Sequence, residues 1–381
     1  MSKDKIWLSS PHMGGNELKY IESAFENNWI APLGPNVEGF EKDLKKYLNH
    51  ENKEVASLSS GTAAIHLSLI LLGVKANDSV ICQSMTFSAS ANPIKYLGAN
   101  PIFIDSELET WNMCPDALRT CIETEIALNN KPKAVICVHL YGMPAKILEI
   151  KDICKEFDIP LIEDAAEALG STYKNEMCGT FGEFGILSFN GNKIITTSGG
   201  GALICNSKSS KEKAVFLATQ ARDKAPHYQH SEVGYNYRLS NVCAGIGRGQ
   251  MEVLDTHISL RRKMNAFYQN LFSGIDGISV FKETDSNFYS NHWLSAILVD
   301  SKKTKNNITR EDIRLAFEKE NIESRPLWKP MHLQPVFQQE KFYGDNVAEN
   351  LFNDGLCLPS GSNLTDLDRD RISLVIKNLF K

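Results

Sequence analysis

The chain has 381 residues, of which 42% are hydrophobic and 23% charged, and its formal net charge is −5. This composition is typical of a globular protein that is long enough for two domains. A mild negative charge gives no general basic surface, so we expect no nucleic-acid partner and no association with anionic membranes. The longest apolar run, residues 67–74, is shorter than the roughly 20 residues that a membrane-spanning helix needs.

The cysteines and histidines indicate the cellular location to expect for the protein and whether a metal site is to be expected. Nine cysteines are scattered without a C-x-x-C pair, and an odd number in a long chain argues against a disulfide framework. The first seven residues have no apolar core of signal-peptide length. We therefore expect a reducing, cytoplasmic location. His227 and His230 stand in a polar segment without a ligand set, so no metal site is predicted.

Short apolar segments alternate with helical ones through the first half of the chain. Strands are predicted at residues 54–58, 79–82, 101–105, 134–138, 159–162 and 184–187, and helices at 61–72, 91–96 and 145–157. This alternation predicts an α/β fold with a mostly parallel sheet covered by helices. Ligands of such sheets gather at the carboxyl ends of the strands. We expect Asp105, His139, Asp164 and residues 188–193 near that edge.

The pattern changes after residue 245. Residues 247–272 are predicted to form one long charged helix that bridges two lobes, and residues 293–299 to form a strand. Two later helices begin with a capping box, Thr309 with Asp312 and Thr365 with Asp368. These features predict a large domain over residues 1–245 and a smaller α+β domain, with the bridging helix, over residues 246–381.

Lys193 and Asp164 are the most informative residues for chemistry. Lys193 closes the segment 188–193, which follows a predicted strand and precedes the glycine run 199–201, and Asp164 ends another predicted strand. A lysine that holds pyridoxal phosphate as a Schiff base, and an aspartate that pairs with its pyridine nitrogen, are what such an enzyme needs. Once displaced, the lysine amine also serves to move protons. The alternatives are an exposed loop lysine and a helix-capping aspartate.

Further candidates surround this pair. Residues 59–64 join a strand to a helix, and the free N–H groups of a helix start suit a phosphate. Gly61 permits close approach there, although a serine N-cap in a tight turn explains the segment equally. Phe87 either stacks on a flat ring or belongs to the core. Three interpretations of Glu167 are open: it contacts the cofactor's phenolic edge, it contacts a substrate hydroxyl, or it is solvated.

Two later segments, residues 234–241 and 325–332, are rich in polar and aromatic side chains. They are either ordered surface loops or, for the second segment, a binding surface for a nucleotide diphosphate and its base or sugar. The side chains suited to that role are Arg325, Trp328, Lys329 and His332. The chain has no G-x-S-x-G elbow and no P-loop, so hydrolase and P-loop functions have no support.

These segments together resemble the DegT/DnrJ/EryC1/StrS family of nucleotide-sugar aminotransferases, in the fold-type I pyridoxal phosphate class. The resemblance runs through nearly the whole chain and is carried by residues 30–34, 60–64, 138–142, 162–170, 188–193, 234–238 and 325–332. It implies the fold-type I transferase architecture, with Lys193 as the Schiff-base lysine and Asp164 as the partner of the pyridine nitrogen. It implies further cofactor contacts from Gly61, Thr62, Ala63, Phe87, Glu167 and Ser188. Substrate contacts are implied for Ala31, Pro32, Leu33, Arg325, Trp328, Lys329 and His332.

The same resemblance implies partners and a reaction. Asn236 reaches the cofactor phosphate of the neighbouring subunit, which makes the protein a homodimer with shared sites. L-glutamate is the amino donor, and pyridoxamine phosphate is the intermediate form of the cofactor. Within the family, residues 11–20 and 190–201 are most similar to transaminases of the bacillosamine pathway. The expected acceptor is therefore UDP-2-acetamido-2,6-dideoxy-hexos-4-ulose, aminated at C4 for bacterial surface glycans or protein glycosylation.

Two alternatives remain. One is a family member that acts on another nucleotide sugar, such as GDP-4-keto-6-deoxymannose in the manner of a perosamine synthase. The other is a catalytically silent binding or regulatory protein on the same fold, which the intact Lys193, Asp164 and Ser188 oppose. A 3-dehydrase is disfavoured because those relatives replace the lysine with histidine.

Overall fold

The computed structural model describes residues 4–381, so the first three residues of the predicted large domain lie outside it. Strands and helices alternate from residue 54 to residue 164, as the sequence predicts, whereas residues 161–205 contain five successive strands without an intervening α-helix. In chain order the strands are β1 Glu54–Leu58, β2 Ser79–Gln83, β3 Asn100–Ile104, β4 Ala134–Val138, β5 Leu161–Asp164, β6 Thr172–Tyr173, β7 Glu176–Met177, β8 Phe184–Ser188, β9 Gly201–Cys205, β10 Ile278–Val280, β11 Phe288–Tyr289, β12 Ser295–Val299, β13 Arg325–Pro326, β14 Lys341–Tyr343 and β15 Gly355–Leu358.

The helices flank these strands and also build the N-terminal and C-terminal parts of the chain. They are α1 Glu17–Glu26, α2 Pro35–Leu48, α3 Gly61–Leu71, α4 Asn92–Tyr96, α5 Pro115–Ala127, α6 Ile147–Glu156, α7 Lys208–Ala218, α8 Asn241–Met251, α9 Leu254–Leu271, α10 Arg310–Lys319, α11 Val347–Asp354 and α12 Asp366–Leu379. Within residues 4–381, no helix combines the length and the apolar character needed to cross a membrane.

A large mixed sheet organises the molecule. Its strand order is β1-β9-β8-β5-β4-β2-β3-β14, and every neighbouring pair from β8 to β14 is parallel. Only β9 runs antiparallel to both of its neighbours. The predicted mostly parallel α/β architecture is therefore confirmed. Two smaller antiparallel sheets, β10-β12-β15-β13 and β11-β6-β7, complete the fold.

The central strands are buried on both faces, as parallel strands covered by helices must be. Every residue of β4 is buried, and α3 packs on the sheet with apolar residues around most of its circumference. In the register of the sheet, Asp164 lies beside Val138 on one side and Ile186 on the other. Asp164 is the last residue of β5 and therefore lies at the carboxyl edge of the sheet. The neighbouring strand β8 continues for two residues beyond Ile186, with which Asp164 is paired.

The C-terminal part differs from the prediction in two respects. Residues 247–272 do not form one helix, because Val253 adopts the non-helical angles φ −117° and ψ 5° between α8 and α9. In addition, β14 pairs with β3 in the large sheet, so the segment after residue 245 is not confined to a separate lobe. The domain boundary at residue 245 stays a prediction. Both predicted capping boxes, at Thr309 and Thr365, are confirmed.

Candidate active site

A cavity of about 550 Å³ opens at the carboxyl edge of the large sheet, between the sheet and the C-terminal segment. It brings together many of the residues that the sequence singled out. These are Gly61, Thr62, Phe87, Asp164, Glu167, Ser188, Lys193, Arg325 and Trp328. Asn190 and Asn192 of the predicted segment 188–193 also line it, whereas sequence reasoning missed several others in its wall, among them Leu8, Ser9, Trp293, Leu294 and Glu323.

The start of α3 forms one wall of the cavity. Ser60 is the N-cap residue, and its hydroxyl accepts a hydrogen bond from the Ala63 N–H at 3.0 Å. A Cβ atom on Gly61 would lie 3.2 Å from the Cβ of Ser188, so glycine lets α3 approach β8 closely. Thr62 faces the cavity, whereas Ala63 does not line it. The cap and the anion-binding role are therefore compatible at this helix start.

Asp164 forms the floor of the cavity at the end of β5. Its side chain is 6% exposed. One carboxylate oxygen accepts a hydrogen bond from the Ser90 hydroxyl at 2.6 Å, and the other accepts from the Ala166 N–H at 3.2 Å. A buried carboxylate is stable only when a cation or several donors compensate its charge.

The two glutamates that flank Asp164 already have basic partners. Glu163 pairs with His139 at 3.0 Å and Glu167 with Lys193 at 3.3 Å, whereas Asp164 has no ion pair among residues 4–381. Burial alone would raise the pKa of Glu163, but hydrogen bonds from His139 and two backbone N–H groups hold that pKa below its ordinary value. Asp164 is thus the buried carboxylate that is ready for an external cation, such as a protonated pyridine nitrogen.

Two residues predicted near this edge do not reach the cavity. His139 is fully buried beneath it, with one ring nitrogen on Glu163 and the other accepting from the Ala145 N–H. Asp105 lies farther along the edge and accepts the backbone N–H groups of Val347 and Ala348, where it caps α11. Both side chains therefore stabilise the fold around the site.

Glu167 and Lys193 form the centre of the site. Glu167 is 3% exposed, and its second carboxylate oxygen accepts the Tyr141 N–H at 2.7 Å. Burial raises the pKa of Glu167 to about 7, although Lys193 and the Tyr141 N–H act in the opposite direction. Glu167 is consequently not solvated, and its carboxyl group gives up a proton less readily than an exposed one.

Trp293 is the main residue that sequence reasoning missed. The Nζ atom of Lys193 lies 4.2 Å from the centre of its indole ring. The indole N–H donates to the carbonyl oxygen of Asn192 at 2.7 Å, which fixes the ring beneath the lysine segment. In the sequence Trp293 merely opens an apolar run that predicts a strand, so its pattern gave no sign of an active-site position.

Only part of the segment 325–332 reaches the cavity. Trp328 lies 5.7 Å from Phe87, ring centre to ring centre, and its backbone N–H donates to the Tyr141 hydroxyl. Arg325 lines the cavity and donates two hydrogen bonds to Glu323. The predicted substrate residues Lys329 and His332 lie outside. His332 hydrogen bonds with Ser84 at 2.7 Å and stacks on Phe342.

The remaining predicted contacts lie away from this cavity. Ala31, Pro32 and Leu33 are exposed just before α2, and Asn236 is exposed in the segment before α8. None of the four lines the cavity of its own chain. Their roles in binding therefore stay predictions.

The chemistry of the cavity fits pyridoxal phosphate. A lysine amine, a buried carboxylate without a cationic partner among residues 4–381 and a helix start beside Ser188 line the same cavity. They match the aldehyde, the pyridine nitrogen and the phosphate of that cofactor respectively. The fold and the site thus define an enzyme of the fold-type I pyridoxal phosphate class.

Comparison with known proteins identifies the family. The model of the DegT/DnrJ/EryC1/StrS aminotransferase family matches residues 11–377. The chain belongs to this family, and pyridoxal phosphate is its cofactor, as the sequence predicted. It is therefore a sugar aminotransferase in the broad sense that the family defines.

Individual relatives are similar over almost the full length. The chain is 52% identical over 380 residues to the "Putative pyridoxal phosphate-dependent aminotransferase EpsN" of Bacillus subtilis (strain 168), covering 99% of this chain and 96% of that one. It is 36% identical over 361 residues to GDP-perosamine synthase of Escherichia coli O157:H7, with coverage of 95% and 94%. A solved DegT DnrJ EryC1 StrS aminotransferase from Brucella abortus superposes with a TM-score of 0.87 at 26% identity, with coverage of 96% and 95%.

Proposed function

We propose that this protein transfers the amino group of L-glutamate to the C4 keto group of a nucleotide-linked 4-keto-6-deoxy sugar. The observation that carries this proposal is that Lys193 shares a cavity with the buried carboxylate of Asp164, which has no ion pair within the described part of the chain. Amino transfer needs a nucleophilic amine and a charge partner for the pyridine ring at one site. A silent binding protein would have no need to maintain both.

Each residue of the cavity has a task in this reaction. Ser188 and the start of α3 hold the phosphate, and Asp164 orients the ring and neutralises its nitrogen. When bound, pyridoxal phosphate supplies the electron sink that makes the carbon next to the amine acidic. Lys193 would take the proton from that carbon and deliver it to the adjacent cofactor carbon, and in the second half-reaction it would carry a proton back to C4 of the sugar, while Glu167 exchanges a proton with the lysine amine.

We assign the acceptor to UDP-2-acetamido-2,6-dideoxy-hexos-4-ulose. The support is the similarity of residues 11–20 and 190–201 to bacillosamine-pathway transaminases, together with the position of these two segments. Gln250 joins the two segments, because its side-chain amide donates to the His12 carbonyl oxygen at 2.9 Å and accepts from the Thr196 N–H at 3.2 Å. Asn190, Asn192, Lys193, Gly199 and Gly200 of the second segment line the cavity, so the first segment would act on the substrate through the second.

The second candidate acceptor is GDP-4-keto-6-deoxymannose. It is supported by the 36% identity to GDP-perosamine synthase over nearly the whole chain. Both acceptors present a C4 ketone to the same amine, so they differ in the sugar substituents and the nucleotide. The aromatic wall of Phe87 and Trp328 and the guanidinium of Arg325 are the groups that would meet those parts.

We further propose that the enzyme is a cytoplasmic homodimer in which Asn236 completes the partner's site. The exposure of Asn236 outside the cavity of its own chain supports this arrangement. A mixture of Lys193→Ala and Asn236→Ala chains tests it, because reassembled dimers would contain one intact site. Activity that exceeds the sum of the two separate variants is the expected result. No recovery in verified mixed dimers would contradict shared sites.

The central experiment combines cofactor trapping with a substrate panel. Purified protein with pyridoxal phosphate should be yellow and should bleach with L-glutamate, and borohydride reduction should place the cofactor label on Lys193. UDP-, GDP- and dTDP-linked 4-keto sugars are then offered, and the product configuration is read by NMR. A label on another residue, or a preparation that stays colourless with added cofactor, would end the proposal. Preference for the GDP sugar would select the second candidate.

A further inference from the structure

The amine of Lys193 is in contact with two side chains of quite different chemistry. Its Nζ atom lies 3.3 Å from a carboxylate oxygen of Glu167 and 4.2 Å from the centre of the Trp293 ring. The lysine side chain is only 12% exposed. The amine is therefore enclosed by an acid and an aromatic face, with little access to bulk water.

Trp293 is held rigidly in this position. Its indole N–H donates to the Asn192 carbonyl oxygen, and its own carbonyl oxygen accepts from the buried guanidinium of Arg261 at 2.6 Å. Arg261 also donates to the Ser9 hydroxyl at 3.0 Å, and Ser9 in turn donates to Asn192. These hydrogen bonds form a closed cycle that includes Asn192, the residue that precedes Lys193. The indole face consequently keeps a fixed distance from the lysine backbone.

An aromatic face and a carboxylate are both binding partners for an ammonium group. The negative face of an indole ring attracts an ammonium ion, and this attraction grows when water is excluded. The carboxylate of Glu167 adds a charge-assisted hydrogen bond. When the proton moves from the Lys193 ammonium to the Glu167 carboxylate, a neutral amine and a carboxylic acid result, and the net charge of the pair does not change.

We propose that Trp293 and Glu167 form a binding site for the free amine of Lys193 during the part of the cycle in which the lysine is not attached to the cofactor. This inference rests on the proposed aminotransferase function and extends it to a positioning role for Trp293. The amine site holds the lysine within reach of the carbon from which it takes a proton. It also keeps the lysine from swinging toward solvent between the two half-reactions.

The test measures the reactivity of the lysine amine directly. Full-length enzyme is loaded with pyridoxamine phosphate, which leaves Lys193 free, and is labelled with trace acetic anhydride at pH 7.5 before peptide mapping. Only the neutral amine reacts, so release from the amine site should raise the labelling rate. We expect Trp293→Leu to raise it about tenfold, since a cation–π contact is worth a factor of roughly 2 at an exposed site and roughly 30 when it is desolvated. The exposed Lys329 serves as an internal reference in every digest.

Trp293→Phe is the matched control. Like the leucine variant it lacks the indole N–H, but it retains an aromatic face. We expect its labelling rate to lie within about threefold of the wild type, because phenylalanine still offers a cation–π surface. In steady-state assays Trp293→Leu should lower kcat and leave the KM for L-glutamate nearly unchanged, since the substrate does not occupy the amine site. A purely structural role of Trp293 would change the labelling rate in the leucine and phenylalanine variants alike.

Glu167→Gln leaves the indole ring of Trp293 in place and tests the contribution of the Glu167 carboxylate to the amine site independently. It should raise the labelling rate of Lys193 several-fold even if the leucine variant does not fold. Unchanged labelling in both Trp293→Leu and Glu167→Gln, or equal acceleration in the leucine and phenylalanine variants, would overturn the inference. These outcomes leave the proposed function intact, because bleaching by L-glutamate and amination of the sugar are scored separately in the wild-type enzyme.

Discussion

Replacement of Glu167 by glutamine should change how the stability of the protein depends on pH. Burial raises the pKa of this carboxyl from 4.5 to about 7 in the folded protein. The folded state then binds more protons than the unfolded state between these two values, so stability falls as the pH rises from about 4.5 to about 7. The stabilising contribution is fully present below the unfolded pKa and is lost as the pH passes through the folded one.

The magnitude follows from the size of the shift. At 1.36 kcal/mol per pKa unit, the full effect is on the order of 3 kcal/mol, and about 2 to 3 kcal/mol of it falls between pH 5 and pH 8. Glutamine has no proton to lose, so Glu167→Gln lacks this dependence. Its amide offers one oxygen for two donors, Lys193 and the Tyr141 N–H, which adds a constant loss at every pH.

The assay is urea denaturation of cofactor-free protein at a fixed concentration, repeated from pH 5 to pH 8. The quantity of interest is the difference in unfolding free energy between wild type and Glu167→Gln at each pH. This difference should change by the stated amount in favour of the glutamine variant as the pH rises. Glu212→Gln, on the exposed surface of α7, controls for the substitution itself. Parallel curves for wild type and Glu167→Gln would refute the argument from burial.

Three further predictions concern single contacts. Asp164→Asn keeps the shape but removes the charge that neutralises the pyridine nitrogen, so we expect kcat to fall about a hundredfold or more; steady-state rates within tenfold of wild type would contradict this. Tyr141→Phe leaves the Trp328 N–H without its acceptor and should lower the unfolding free energy by about 1–3 kcal/mol, which an unchanged urea midpoint would exclude. Thr365→Ala removes the capping box of α12 and should cost about 1 kcal/mol by the same assay, whereas Thr365→Ser should cost much less.

The sequence by itself determined the architecture and the central pair of the site. Alternating apolar strands and helices predict a parallel sheet, and the chain direction of such a sheet fixes which edge collects the residues that follow each strand. Asp164 and Lys193 were predicted to lie at this edge in this way, since both belong to segments that follow apolar runs. Local patterns also determined the caps at Thr309 and Thr365, because a capping box involves residues only three positions apart.

Tertiary structure alone decided which side chains surround the lysine. Trp293 is 100 positions from Lys193 in the chain, and Tyr141 joins Glu167 to Trp328 through contacts that span the sheet and the C-terminal segment. No local periodicity encodes such distances. The break between α8 and α9 and the return of β14 to the large sheet arise in the same way. Packing between distant segments, rather than the propensity of either segment, determines these features of the protein.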